Sequence, residues 1–394
     1  MYLSVLGRQS DISLAELEAL FDDVHPLGST LATFESSTLP DINRLGGSLK
    51  LAVKLSEKPL DLLASLPEGK ITLGISDYSH HASTSSATKE ALKLKKILVR
   101  HGRSVRVVAN KSAVLSTATS LHNGLSGKND RKKELIKVDD AWFKVIGVQD
   151  IDAYSRRDQA RPARDAKVGM LPPKLAQVLI NLCGPLKPGA RVLDPFCGTG
   201  VVLQEALLMG YTPYGTDLSD RMVEYTKKNL DWLQKNHSST GDEHGRGPQN
   251  VLQSKNFGEG ECSARPVEKM ISLAIGDATS FKWQAPIDAV ACEGYLGKPM
   301  STAPGELKLK TEKQECKTII LGFLKNLSTQ ITKDTPVVIA APAWLTLGGS
   351  YSRLEILDEI KELGYNVNNK TREGLLYARI GQIVARDIII LRKD

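Results

Sequence analysis

At 394 residues, 41% of them hydrophobic and 25% charged, the chain is long enough for two or three packed domains and too apolar for an extended disordered one. Its 52 Lys and Arg exceed 45 Asp and Glu, a formal charge of +7, which excludes a strongly acidic protein and fits a nucleic-acid partner and plain solubility equally well. The cysteines (Cys183, Cys197, Cys262, Cys292, Cys316) are odd in number and form no C-x-x-C pair, against a disulfide framework or zinc knuckle, and no apolar run nears the roughly 18 residues that span a bilayer.

Tyr2 to Leu6 predicts a strand, with neither the basic start nor the long apolar centre of a signal peptide; a cytoplasmic protein is expected. Ser13 and Glu16 form an S-x-x-E capping box that predicts a helix over Leu14 to Phe21. After Gly46-Gly47, the residues Leu49, Leu51, Val53 and Leu55 alternate with Lys50, Ala52 and Lys54, which predicts a half-buried strand. Ile71, Leu73 and Ile75 alternate again. A helix follows from about Thr88 to Arg100, with Ala91, Leu94, Ile97 and Leu98 inward. Lys89, Lys93, Lys96 and Arg100 share its other face, and Lys128 to Lys133 add a second basic run; the two readings are a phosphate-tracking surface and a solvated helix face. Tyr154 to Asp165 has no apolar period and reads as an extended basic connection, whose Arg157, Arg161 and Arg164 either clamp phosphates or pair with Asp158 and Asp165.

Leu171-Pro172-Pro173 opens a helix, and the run Val192-Leu193-Asp194-Pro195-Phe196-Cys197-Gly198-Thr199-Gly200 follows, leading into a helical segment over Val201 to Met209. Strand, glycine-bracketed loop and helix together make the first turn of a doubly wound sheet, where ligands bind. Gly198 and Gly200 allow positive φ and close backbone approach. The spacing is not G-x-G-x-x-G, because position 203 is Leu, and a carboxylate at the strand end repels a pyrophosphate. Asp194 suits a cationic ligand such as the amino-acid part and sulfonium of S-adenosyl-L-methionine. Asp217 ends the next strand, in place to hold ribose hydroxyls or to cap the helix near 219–234. Residues 235–268 read as a polar, glycine-rich mobile insertion. Ile271 to Ile275 resumes the sheet, and Asp277 with Ala278 contacts the adenine end or forms a plain turn. Strands are then expected over 287–292 and 336–341, helices over 312–328 and 353–363, and a closing antiparallel hairpin from Leu375 to Ile380 and Ile383 to Leu391.

Asp194 to Gly200, Asp217 and Asp277 in this order resemble the motifs of the Rossmann-like methyltransferases. With Arg157-Asp158, Arg161-Pro162, Gly169 to Ala176 and Arg44-Leu45-Gly46-Gly47, nearly the whole chain resembles the THUMP-domain RNA methyltransferases that methylate the exocyclic N2 amine of guanine in tRNA. The resemblance implies an α/β fold: a ferredoxin-like domain over 1–68, a THUMP RNA-binding domain over 69–152, a basic linker over 153–170 and a Rossmann-like methyltransferase domain over 171–394. It implies S-adenosyl-L-methionine as cofactor, held by Asp194, Phe196, Gly198, Thr199, Gly200, Asp217, Asp277 and Ala278. It implies tRNA as partner, gripped through Lys89, Lys93, Lys96, Arg100, Arg157, Arg161 and Arg164, with neither metal nor membrane involved.

One stretch departs from the family. Its fourth motif reads [DN]-P-P-[YF], and this chain has Glu293-Gly294-Tyr295-Leu296. Glu293 keeps an acceptor one methylene longer and Tyr295 an aromatic shifted by one place; these are the expected catalytic residues. A DNA amino-methyltransferase and a cofactor-binding RNA-binding protein without turnover are the alternatives.

Overall fold

Short apolar segments separated by turns organise the front of the chain into one sheet. The computed structural model describes residues 1–165, 170–238 and 271–394. The chain divides into two compact units, Met1–Ser155 and Arg156–Asp394.

In the first unit, β1 (Tyr2–Leu6), β2 (Asp22–Leu27), β3 (Leu31–Glu35), β4 (Ser48–Lys54), β5 (Ile71–Asp77), β6 (Val105–Val107), β7 (Lys132–Val138) and β8 (Ala141–Val148) form a sheet in the order β2-β3-β1-β4-β8-β7-β5-β6. Helices α1 (Ser10–Leu20), α2 (Pro59–Ala64), α3 (Thr84–Arg100) and α4 (Thr117–His122) connect them, and α5 (Ile151–Gln159) follows. The antiparallel β4–β8 ladder joins the segments that the sequence separates at residue 68.

Several local expectations change. The helix starts at Ser10, so Ser13 and Glu16 lie inside it; the Glu16 carboxylate accepts from Gly46 N at 2.9 Å and Gly47 N at 2.8 Å, tying the Gly-Gly loop to α1. A Cβ at Gly47 would come within 2.8 Å of Ser13 Cα, which is why the loop needs glycine there. Strand β4 is not half-solvated: Lys50 is 1% exposed and Ala52 fully buried, because the sheet is covered on both faces. The second basic run enters β7, where Lys133 is buried and donates to Asn129 O at 3.0 Å. Edge strand β2, absent from the sequence reading, is mostly exposed and carries Pro26, which an edge tolerates. The segment expected to be an extended linker opens as helix α5, where Asp150 Oδ1 caps Ala153 N at 2.9 Å.

The second unit runs α6 (Pro173–Asn181), β9 (Arg191–Asp194), α7 (Val201–Leu208), β10 (Thr212–Asp217), α8 (Asp220–Ser238), β11 (Ser272–Ile275), β12 (Ala289–Glu293), α9 (Glu306–Ser328), β13 (Pro336–Leu345), β14 (Tyr351–Arg353), α10 (Leu357–Glu362), β15 (Tyr365–Val367), α11 (Asn369–Glu373), β16 (Leu375–Tyr377) and β17 (Val384–Lys393). Its sheet is ordered β11-β10-β9-β12-β13-β17-β15. The first five strands are parallel, and β17 is antiparallel to β13 and β15. Helix α9 seats Ile320, Phe323, Leu324 and Leu327 on Val290, Ile339 and Ile389, while α6 and α7 pack together against the sheet. The expected closing hairpin is present as the antiparallel β16–β17 pair. The helix expected over 353–363 begins later, at Leu357, and Arg353 instead ends strand β14. Of the expected insertion, 235–238 belong to α8, and from 239 onward it lies outside the described residues, as does Gly169.

Candidate active site

The strand order reverses beside β9: the chain passes outward from β9 to β10 and β11, then returns to β12 on the other side. In open α/β sheets the crevice outside the carboxyl ends at such a point binds ligand. Asp194 ends β9, Asp217 ends β10 and Glu293 ends β12, so the topology alone gathers three carboxylates along one edge.

Asp194 is 2% exposed, and its Oδ1 accepts from Phe196 N at 3.1 Å. Burial, and the negative charges of Asp217 and Glu293, push its carboxyl well above the ordinary range. The loop then turns through Gly198 (φ 50°) and Gly200 (φ 81°), a left-handed region that favours glycine. A Cβ on Gly200 would stand 2.8 Å from the Thr226 methyl. Asp217 Oδ2 accepts from Gly198 N at 2.9 Å and its Oδ1 from Ser219 N at 2.9 Å, so one carboxylate holds the loop and turns the chain towards α8. Thr199 is fixed through its carbonyl, which accepts from Asn229 Nδ2 at 2.8 Å. Phe196 packs edge-on against Phe323 with ring centres 5.2 Å apart, closing the α9 side of the crevice.

Two residues that the sequence reading missed stand here. Leu218 is 74% exposed directly after Asp217, and Ile275 is 58% exposed at the end of β11, in register with Asp217. Apolar side chains left in water at adjacent strand tips suit the faces of a purine. An apolar residue where a turn should be polar is the signal that marks Leu218. Asp277 is exposed and its Oδ1 accepts from Thr279 N and Oγ1, both at 2.8 Å. Ala278 is a correction: it is 5% exposed in the core beneath α9, and its carbonyl accepts from Asn326 Nδ2, so its side chain does not face the crevice.

At the end of β12, Glu293 is paired with Arg386 of β17 through Oε1 and Nε. Burial raises the Glu293 carboxyl and Arg386 lowers it, the net direction being upward. Tyr295 is half-buried against the α9 core, and its hydroxyl donates to Glu315 Oε1 at 3.0 Å. Burial and that carboxylate push the phenol up to about 12, so it stays neutral. The ring is anchored rather than free to swing.

The predicted cation set separates into two groups. Lys89, Lys93, Lys96 and Arg100 are all exposed on one face of α3, with Ala87, Ala91, Leu94 and Leu98 buried opposite. Arg164 is exposed too. Arg157 and Arg161 are corrections. The Arg157 guanidinium bonds the buried Glu205 of α7 at 2.7 and 3.2 Å, and Arg161, 3% exposed, pairs with Asp158 at 3.7 Å. Glu205 lacks water and takes a cation from the chain instead, so neither arginine points outward.

Residues 161–240 match the model of the RMKL-like methyltransferase domain. Over 192 residues the chain is 32% identical to a tRNA (guanine(10)-N2)-dimethyltransferase of Methanothermobacter thermautotrophicus, an alignment covering 48% of this chain and 44% of the relative. A second relative of that description, from Methanocaldococcus jannaschii, is 27% identical over 244 residues, 57% of this chain and 69% of its own length. The chain therefore spans less than half the length of the first relative. The crystal structure of TrmN from Thermus thermophilus aligns over 100% of this chain and 99% of its own, at 16% identity and a TM-score of 0.44. No helix among the described residues is long and apolar enough to cross a membrane.

Proposed function

We propose that the protein is an S-adenosyl-L-methionine-dependent RNA methyltransferase acting on the exocyclic N2 amine of a guanine in tRNA. The observation that carries this reading is the convergence of Asp194, Asp217 and Glu293 at the switch point, a carboxyl-lined edge at which a ligand bringing positive charge would favour the ionised form of the buried Asp194. The residues fit that cofactor: a buried carboxylate for its ammonium and sulfonium end, Asp217 for ribose hydroxyls, and Leu218 with Ile275 for adenine. When bound, it supplies an electrophilic methyl group.

The chain's own residues then have one task, because a guanine amine is a poor nucleophile whose lone pair is shared with the ring. Glu293 accepts the amine's N–H as positive charge develops there. An ionised carboxylate is acceptor-only with about four lone-pair sites, so Glu293 can hold Arg386 and still take two further donors. Guanine presents N1–H and N2–H side by side, whereas the pairing edges of adenine and cytosine offer only their amine. That geometry favours guanine over the amines that DNA amino-methyltransferases use. Tyr295, anchored by Glu315, offers a fixed aromatic edge for the extruded base.

The test is methyl transfer from labelled cofactor to unmodified tRNA, followed by nucleoside mass mapping. Label in N2-methylguanosine is expected; label in no guanine sinks the reading. The first unit supplies the RNA grip through α3. Changing Lys89, Lys93, Lys96 and Arg100 together to glutamine is expected to weaken tRNA binding at least tenfold near 0.1 M salt. It should also flatten the salt dependence, by about 0.7 to 0.9 in the log–log slope per lost phosphate contact. Cofactor affinity should not change. An unaltered tRNA titration would return these side chains to an ordinary solvated face.

A further inference from the structure

We propose that Arg386 is a positioning residue for methyl transfer, holding the Glu293 carboxylate at the catalytic edge as an aimed acceptor. This rests on the reading of Glu293 as the group that receives the amine's hydrogen bond. The two residues are not on neighbouring strands. Glu293 stands in register with Ala340 of β13, and Arg386 of β17 is opposite Pro342 of the same strand. Positions two apart on a strand share a face, so Ala340 and Pro342 lie between the partners. Neither has a long side chain, and the Arg386 arm crosses β13 over them to donate Nε to Glu293 Oε1. Glutamate's extra methylene supplies reach that an aspartate at this place lacks. The departure from the family's fourth motif and the arginine therefore form one device: glutamate extends and arginine fixes it.

The device answers a physical difficulty. Glu293 sits where burial favours its neutral form, and a protonated carboxyl turns one acceptor oxygen into a donor that faces the amine wrongly. Arg386 is 4% exposed, so its charge is little screened by water and acts on Glu293 at full contact. The other groups near Glu293 are Asp194 from β9 and Cys292 on its own strand, both of which the Glu293 charge pushes towards their neutral forms. Asp387, raised to about 6 by burial beside Arg353, stands in register with Ala341 and so faces the other side of the sheet.

The experiment is the pH profile of kcat and of kcat/KM for tRNA, with S-adenosyl-L-methionine saturating at every pH so that Asp194 ionisation does not enter, for wild type, Arg386→Met, Arg386→Lys and Glu293→Gln. Loss of an opposite charge in contact moves a carboxyl by about 1 to 3 pH units. The acidic limb of Arg386→Met is therefore expected to move upward by that much, with kcat falling more than KM changes. Arg386→Lys should bring the limb back towards wild type. Glu293→Gln, an acceptor that cannot ionise, should be slower but flat across the limb, alone and combined with Arg386→Met. A uniform loss at every pH in Arg386→Met, or a shift that survives in the Glu293→Gln background, overturns the proposal. If Arg386→Met does not fold, Glu293→Gln and Arg386→Lys still decide: an acidic limb retained by the former, or a lysine variant no better than an unfolded one, overturns it. A wild type that methylates no tRNA guanine strikes instead at the proposed function.

Discussion

Asp194→Asn is expected to weaken S-adenosyl-L-methionine binding by about 10- to 100-fold while leaving the protein at least as stable near neutral pH. The two effects separate because, in the proposed function, Asp194 serves the ligand at a cost to the fold. Its carboxyl is 2% exposed, and burial together with Asp217 and Glu293 raises its pKa well above the ordinary value. For a carboxyl raised in the folded state, the stability it contributes is fully present below its unfolded pKa and is lost as pH rises through the folded one. Asparagine never ionises and still presents an oxygen to Phe196 N, so that loss disappears. What asparagine cannot supply is the negative partner for the ligand's cation, and a hydrogen bond to a charged group is worth about 1.5–3 kcal/mol. The same logic gives a sign for pH: the cation needs Asp194 ionised, so wild-type affinity should fall as pH falls, with a proton released on binding. Calorimetry in buffers of different ionisation enthalpy reads both. Equal affinity in wild type and variant, or a variant that melts several degrees lower, contradicts the account.

How much of this site could be read from the sequence depends on whether a residue's role is fixed by its neighbours in the chain. The Asp194 to Gly200 hook is local: a strand ends, two glycines turn, a helix begins, and the structure has each in place. Asp217 was open between ligand and cap, and its hydrogen bonds to Gly198 N and Ser219 N leave it holding the loop from both ends. Arg386 is 93 positions from Glu293, and nothing in the spacing of either announces the other. The arginines of 157–164 look alike in sequence because charge is visible there and burial is not; Arg157 turns inward only because Glu205 of α7 is buried nearby. Likewise Ser13-x-x-Glu16 has the letters of a capping box, but its carboxylate found two backbone donors in a glycine loop about thirty residues downstream. Lys50 is the sharpest failure. Alternation implies a polar face only where that face meets water, and this sheet is covered on both sides.

That buried lysine sets the second large effect. Lys50 Nζ donates to Glu134 Oε1 at 2.5 Å, to Leu115 O at 2.8 Å and to Ser120 Oγ at 2.9 Å. Ser76 Oγ donates to the same Glu134 oxygen at 2.6 Å and accepts from Leu115 N at 2.9 Å. One side chain thus links β4, β7 and the turn into α4, and Glu134, fully buried, has no other cation paired with it among the described residues. Removing one member of a buried pair leaves the other uncompensated, at about 3–5 kcal/mol. Lys50→Met should therefore destabilise the first unit by about that amount in denaturant unfolding. Added salt should change the result little, since a buried pair is weakly screened. Replacing both charges, Lys50→Met with Glu134→Leu, removes the stranded carboxylate and should recover most of the loss, because well-packed apolar residues commonly match a buried ion pair. Cofactor affinity, a property of the second unit, should be unchanged in both variants. A single variant losing under about 1 kcal/mol would mean that Glu134 is not left stranded without Lys50, taking up a proton or water instead. A double variant no better than the single would mean that Ser76, Ser120 and the Leu115 carbonyl, left without Lys50, dominate the penalty.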